Sequence, residues 1–98
     1  MQQLLPGSDL NGLIGSNARL WQYSASHGRM AIEISPPDGG KKYLHCLFCE
    51  RMSVRHFWRM QNPQILDAKD RDFIFKDGEV EIKCRELVLT DSSEPQPP

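Results

Sequence analysis

A chain of 98 residues, 39 % apolar and 26 % charged with a net charge of −1, has room for one globular domain and no second core. Near-neutral charge argues for no particular class of partner. The opening Met1-Gln2-Gln3-Leu4-Leu5-Pro6 has neither a basic leader nor a long apolar run, and no segment approaches the roughly 20 apolar residues of a membrane-crossing helix. No membrane association and a cytoplasmic location are therefore expected.

Residues 1–18 read as a loop-like N-terminal arm, because Pro6, Gly7, Gly12 and Gly15 interrupt each short apolar pair. Residues 19–90 carry the period-two alternation of half-buried strands and are expected to form a single β domain. Ser26-His27-Gly28-Arg29 has the form of a two-residue turn. It would set Ala25 against Met30, Tyr23 against Ile32 and Trp21 against Ile34 on an apolar face, with Gln22 and Glu33 on the wet one. The segment from Tyr43 to Trp58 pairs similarly about a loop at Glu50-Arg51-Met52, with Phe48 against Val54, Cys46 against His56 and Leu44 against Trp58. Asn62-Pro63 ends that strand, and residues 63–69 have room for one short helix.

The Asp77-Gly78 pair marks a further hairpin in which Phe75 meets Val80 and Phe73 meets Ile82. After Cys84 the apolar positions switch from even to odd, so a bulge or bend is expected near Arg85-Glu86 before a last strand at residues 87–90. Residues 91–98 have no apolar side chain and read as a disordered tail. Together these segments predict a mainly β fold. About six or seven strands form an antiparallel meander, closed as a small barrel or folded as a two-sheet sandwich, with at most one short helix.

Three cysteines, Cys46, Cys49 and Cys84, are an odd number and too few for a disulfide framework, so free thiols are expected. Cys46-x-x-Cys49, with Cys84 as a third ligand and His56, or else His45 or His27, as a fourth, has the donors of a zinc site if all four converge. A regular strand through residues 43–49 would point Cys46 and Cys49 to opposite faces. The expectation is therefore no metal, with the thiols packed as small apolar groups; a zinc-stabilised structural domain is the alternative. No helix is expected after Cys49 to activate a dithiol. Cys46 beside His56 lacks any oxyanion-binding sequence, so an enzyme is not expected.

Residues 41–60 form a basic island, in which Lys41, Lys42, Arg51, Arg55 and Arg59 stand against Glu50 alone, interleaved with Tyr43, Phe48, Phe57 and Trp58. Alternation places Arg55, Phe57 and Arg59 on one strand face, and with Lys41 and Lys42 they are the expected partner-binding residues. Basic side chains between exposed rings suit single-stranded nucleic acid, but a pI near 6.3 lies far below the basic range of such domains. The leading expectation is a non-catalytic protein-interaction module. Single-stranded nucleic-acid binding is the alternative, and open sheet edges leave room for a homodimer.

Overall fold

The computed structural model describes residues 2–24, 28–37, 39–68 and 72–91. They form ten strands: β1 (Gln2–Gln3), β2 (Asn17–Ser24), β3 (Arg29–Ser35), β4 (Lys42–Leu47), β5 (Arg51–Ser53), β6 (Phe57–Arg59), β7 (Gln64–Asp67), β8 (Phe73–Asp77), β9 (Val80–Cys84) and β10 (Glu86–Thr90), with one 3-10 turn at Asn11–Leu13. A six-stranded sheet runs β1-β10-β4-β3-β2-β6 and a four-stranded sheet β5-β9-β8-β7, every pairing antiparallel. The architecture is the two-sheet sandwich; neither sheet closes into a barrel.

Alternation builds the core. Met30, Ile32 and Ile34 of β3, Leu44 and Cys46 of β4, and Leu87 of β10 turn their side chains inward to meet Phe75, Ile82 and Cys84 from the smaller sheet. Residues 2–18 join this core, since Leu4, Leu10 and Leu13 are buried and the Leu4 N–H donates to the Leu87 carbonyl at 2.8 Å. Of residues 91–98, read as a tail, only Asp91 is among the described residues. Among the described residues no helix is long and apolar enough to cross a membrane.

The bend at Arg85 is real: the chain leaves the smaller sheet after β9 and enters the larger one as β10. Other local expectations are corrected. The Asp77 hairpin turns at Gly78-Glu79, so Asp77 pairs with Val80, Phe75 with Ile82 and Phe73 with Cys84. Gly78, at φ 62, is the glycine-first residue of a II′ type turn. Asp77 is held as the last strand residue by its carboxylate. Oδ2 accepts from the Trp58 indole at 3.0 Å, and Oδ1 accepts from the N–H groups of Gln61 and Asn62 at 3.2 and 2.8 Å. The two-residue shift of register leaves every side chain on its expected face.

The first hairpin differs more. Ser24 pairs with Arg29 and Tyr23 with Met30, while beyond an irregularity at Trp21 the pairs are Leu20 with Ile32 and Ala18 with Ile34. The expected turn residues Ser26 and His27, with Ala25, lie outside the described residues. Ala18 and Leu20 take the inward positions that the sequence reading gave to Trp21 and Tyr23, and those two rings are exposed. The hairpin about Glu50-Arg51-Met52 does not form: β5 joins β9 at one sheet's edge and β6 joins β2 at the other's. Residues 64–67 are strand β7 rather than helix, because Ile65 fills the core opposite Phe75.

Candidate functional site

The outer face of the six-stranded sheet carries a row of side chains set by register: Phe57 of β6, Arg19 of β2, Glu33 of β3, Tyr43 of β4 and Thr90 of β10. Beside it run Gln22, Ala31, His45 and Val88. The extra residue at the β2 irregularity is Trp21, and it lies over this face. Its ring meets the Tyr43 ring at 6.1 Å between centroids, tilted 57°. The Arg19 guanidinium stands 4.7 Å from its centre, a cation–π contact.

Glu33 is the electrostatic centre of the row. Although it points away from the core, it is only 4 % exposed, covered by its neighbours' side chains. Arg19 Nε donates to Oε1 at 2.8 Å, the Tyr43 hydroxyl donates to Oε2 at 3.3 Å, and Lys41 Nζ lies 3.7 Å from Oε1. Burial pushes the Glu33 carboxyl up. The Arg19 hydrogen bond and charge, with Lys41 and the Tyr43 hydroxyl, outweigh burial and hold it below its ordinary value. Tyr43 is shifted the other way, by burial first and then by the Glu33 charge.

Phe57 is 60 % exposed and shares this face with Arg59, whose Nε donates to the Gly15 carbonyl at 3.4 Å. Lys41 belongs to the same face through Glu33. Two expected members do not. Arg55 precedes β6, outside any strand, and pairs with Glu79 of the β8–β9 turn. Lys42 pairs with Asp91 at 3.2 Å, at the far end of the sheet. Trp21, Arg19, Glu33 and Tyr43 were missed, because only the true register of β2 against β3 brings Arg19 opposite Glu33.

The cysteines also depart from expectation. Strand β4 ends at Leu47, and Phe48 adopts φ 57, the left-handed region. That reversal brings Cys49 back to the side of Cys46 instead of the opposite face. The Cys49 N–H donates to the Gly28 carbonyl at 2.7 Å, and when protonated its Sγ donates to the Cys46 carbonyl 3.4 Å away. Cys46 and Cys84 come from opposite sheets and are fully buried, whereas Cys49 is half-buried. All three thiols share one core, Cys46 and Cys84 within it and Cys49 packed against it.

Hydrogen bonds from Cys46 and then Cys84 stabilise a Cys49 thiolate and lower its pKa to about 4, against the opposing effect of burial. For Cys84 the hydrogen bond with Cys46 pulls downward. The bond with Cys49, burial and the charges of Cys49 and Asp72 win, and push it up to about 12. Cys46 is also raised, by its bonds to Cys49 and Cys84 and by burial. His56 is exposed on the far side of β2, three strand spacings from β4, or about 14 Å, so it does not join the thiols. Among the described residues no group of three His, Cys, Asp or Glu side chains is arranged to hold a metal ion. Comparison with protein-family models, with curated proteins and with solved structures finds no match to this chain.

Proposed function

We propose that the chain is a non-catalytic β domain that docks an extended, acidic segment of a protein partner on the outer face of its larger sheet. The observation that carries this reading is the pair of large rings, Phe57 and Trp21, 60 % and 39 % exposed on adjacent strands. Exposed aromatic side chains with arginine between them are the usual energetic centre of a protein interface.

The mode of docking follows from the edge beside them. Pairing of β6 with β2 stops at Arg19 opposite Phe57, and the Leu20 N–H is taken by the His56 carbonyl at 3.0 Å. Beyond that point, among the described residues, no strand lies along the outer edge of Trp21 to Tyr23. An extended segment can add there as a continuation of β6, with backbone hydrogen bonds supplying affinity and the rings supplying specificity. The solvent-facing charges around the rings are Arg19, Lys41 and Arg59, while the one carboxylate among them, Glu33, is buried. That imbalance favours an acidic partner segment.

The test selects binders from a displayed library of random linear peptides against the immobilised full chain, then maps the best binder by backbone amide shifts. Acidic peptides that perturb residues 21–23 and 57–59 support the reading, with affinity falling about tenfold or more in F57A and W21A. L66A, on an exposed edge residue of the other sheet, leaves affinity unchanged. Perturbations that map elsewhere, or tighter and steeply salt-dependent binding of single-stranded oligonucleotides to the same face, would overturn it.

A further inference from the structure

We infer that Cys46, Cys49 and Cys84 form a thiol site that hydroperoxides oxidise, with Cys49 the sulfur attacked and Cys46 the thiol that closes the disulfide. The fold builds this arrangement from separate parts. The Arg85 N–H donates to the Leu47 carbonyl at 3.1 Å and the Glu50 N–H donates to the Lys83 carbonyl at 2.9 Å. These two bonds clamp the Cys46–Cys49 turn along the end of β9, with Cys84 between them. Phe48 in the left-handed region then turns Cys49 back toward Cys46, whose carbonyl lies 3.4 Å from the Cys49 sulfur.

The three sulfurs have different access. Cys49 alone is open to a small molecule from solvent, while Cys46 and Cys84 are 0 % exposed. Cys49 Sγ sits 3.4 Å from the Cys46 carbonyl at the open side of this cluster, and hydrogen bonding by the neighbouring thiols favours its thiolate, the form that attacks peroxide. An apolar wall surrounds the buried pair: Cys46 is flanked by Met30 and Leu87, and Cys84 by Phe73. Ordinary buried cysteines stand alone among hydrocarbon and stay inert; three gathered at one core, one of them partly exposed, have the parts of a dithiol couple.

In the first step the Cys49 thiolate attacks one oxygen of the hydroperoxide. An S–O bond forms and the O–O bond breaks. The sulfur loses two electrons and becomes a sulfenic acid, and the alkoxide or hydroxide leaves with a proton from water. In the second step Cys46 attacks the Cys49 sulfur. The S–S bond forms, the S–O bond breaks, and the departing hydroxide takes the Cys46 proton as water. Cys84 stays a thiol, and a dithiol reductant restores the pair.

The experiment treats the full chain, kept with a chelator, with equimolar hydrogen peroxide, alkylates the remaining thiols and maps the peptides. A Cys46–Cys49 disulfide with alkylated Cys84 is expected. At about pH 6, iodoacetamide should modify Cys49 at least about tenfold faster than the other two. C49A should slow peroxide-dependent thiol loss by at least about tenfold, and C46A should leave a Cys49 sulfenic acid that dimedone traps. Alanine is used because a serine at buried Cys46 would leave a hydroxyl without a partner. Three thiols surviving peroxide, or equal oxidation of C49A and the parent chain, would overturn the proposal. Stoichiometric zinc or copper in the purified chain, lost together in each single variant, would do so too, because the thiols would then be ligands.

Discussion

Asp77 gives a sharp stability test, because one buried carboxylate joins the two sheets. It belongs to β8 of the smaller sheet, 4 % exposed, and accepts three hydrogen bonds: from the indole of Trp58 on β6 of the larger sheet, and from the N–H groups of Gln61 and Asn62 between them. In Asp77→Ala the two backbone N–H groups sit on exposed residues and can turn to water, so each costs about 0.5–1 kcal/mol. The indole stays buried with its donor unpaired, at about 1–3 kcal/mol. The total is about 2–5 kcal/mol, a large share of the roughly 5–15 kcal/mol that holds a small domain together. Asp77→Asn keeps one acceptor oxygen and should lose about half as much. Denaturant unfolding followed by tryptophan fluorescence measures each value. A double-mutant cycle with Trp58→Phe isolates the indole contribution, with a coupling of about 1–2 kcal/mol expected. If Asp77→Ala lies within 0.5 kcal/mol of the parent chain, roughly the scatter of a neutral surface change, or if the cycle is additive, the carboxylate does not join the sheets as described.

Glu33 links stability to acid. Its folded pKa lies below the ordinary 4.5, so its contribution is complete above pH 4.5 and is lost as the pH falls through the lower folded value. Stability measured from pH 7 down to pH 3 should therefore fall more steeply in the parent chain than in Glu33→Gln. At pH 7 the variant should be weaker by only about 1 kcal/mol, because Arg19 is 44 % exposed and water screens the pair. Ser16 Oγ is buried with no hydrogen-bond partner among the described residues, so Ser16→Ala should raise stability by up to about 1 kcal/mol in the same unfolding assay. Gly28, at φ 58, would place an added Cβ 3.3 Å from the Cys49 nitrogen. Gly28→Ala should cost about 1–2 kcal/mol in thermal unfolding and speed alkylation of Cys49 by loosening its turn.

Period-two patterning was enough to read the fold class, and the reason is visible in β3, β8 and β9. Met30, Ile32 and Ile34 on one strand, and Phe75 opposite Ile82 on two others, need a single apolar face whatever the pairing. Register was harder. A shift of two residues keeps every face, so alternation alone could not tell an Asp77-Gly78 turn from a Gly78-Glu79 turn. The choice is made by Trp58 and the N–H groups of residues 61–62, which are distant in sequence from the hairpin they fix. The same distance hid the fate of residues 51–59: two short strands go to different sheets because the edges of β9 and β2 are open to them.

Both candidate sites sit where alternation is broken, and that is why the sequence hid them. On β2 the extra residue at Trp21 sends a ring outward that strict alternation assigns to the core, and Ala18 and Leu20 fill the inward positions instead. At the end of β4 a left-handed Phe48 undoes the opposite-face argument for Cys46 and Cys49. A phenylalanine is a poor marker for that conformation, which glycine or asparagine would have announced. The cost of such a residue, about 1–2 kcal/mol, is borne by the bonds on either side of it, from the Cys49 N–H to Gly28 and from the Arg85 N–H to Leu47. A small domain has little stability to spare for local irregularity. Among the described residues, one such irregularity exposes a tryptophan beside an arginine and another turns Cys49 back toward Cys46, and the proposed binding and the proposed thiol chemistry both rest on these positions rather than on the regular strands between them.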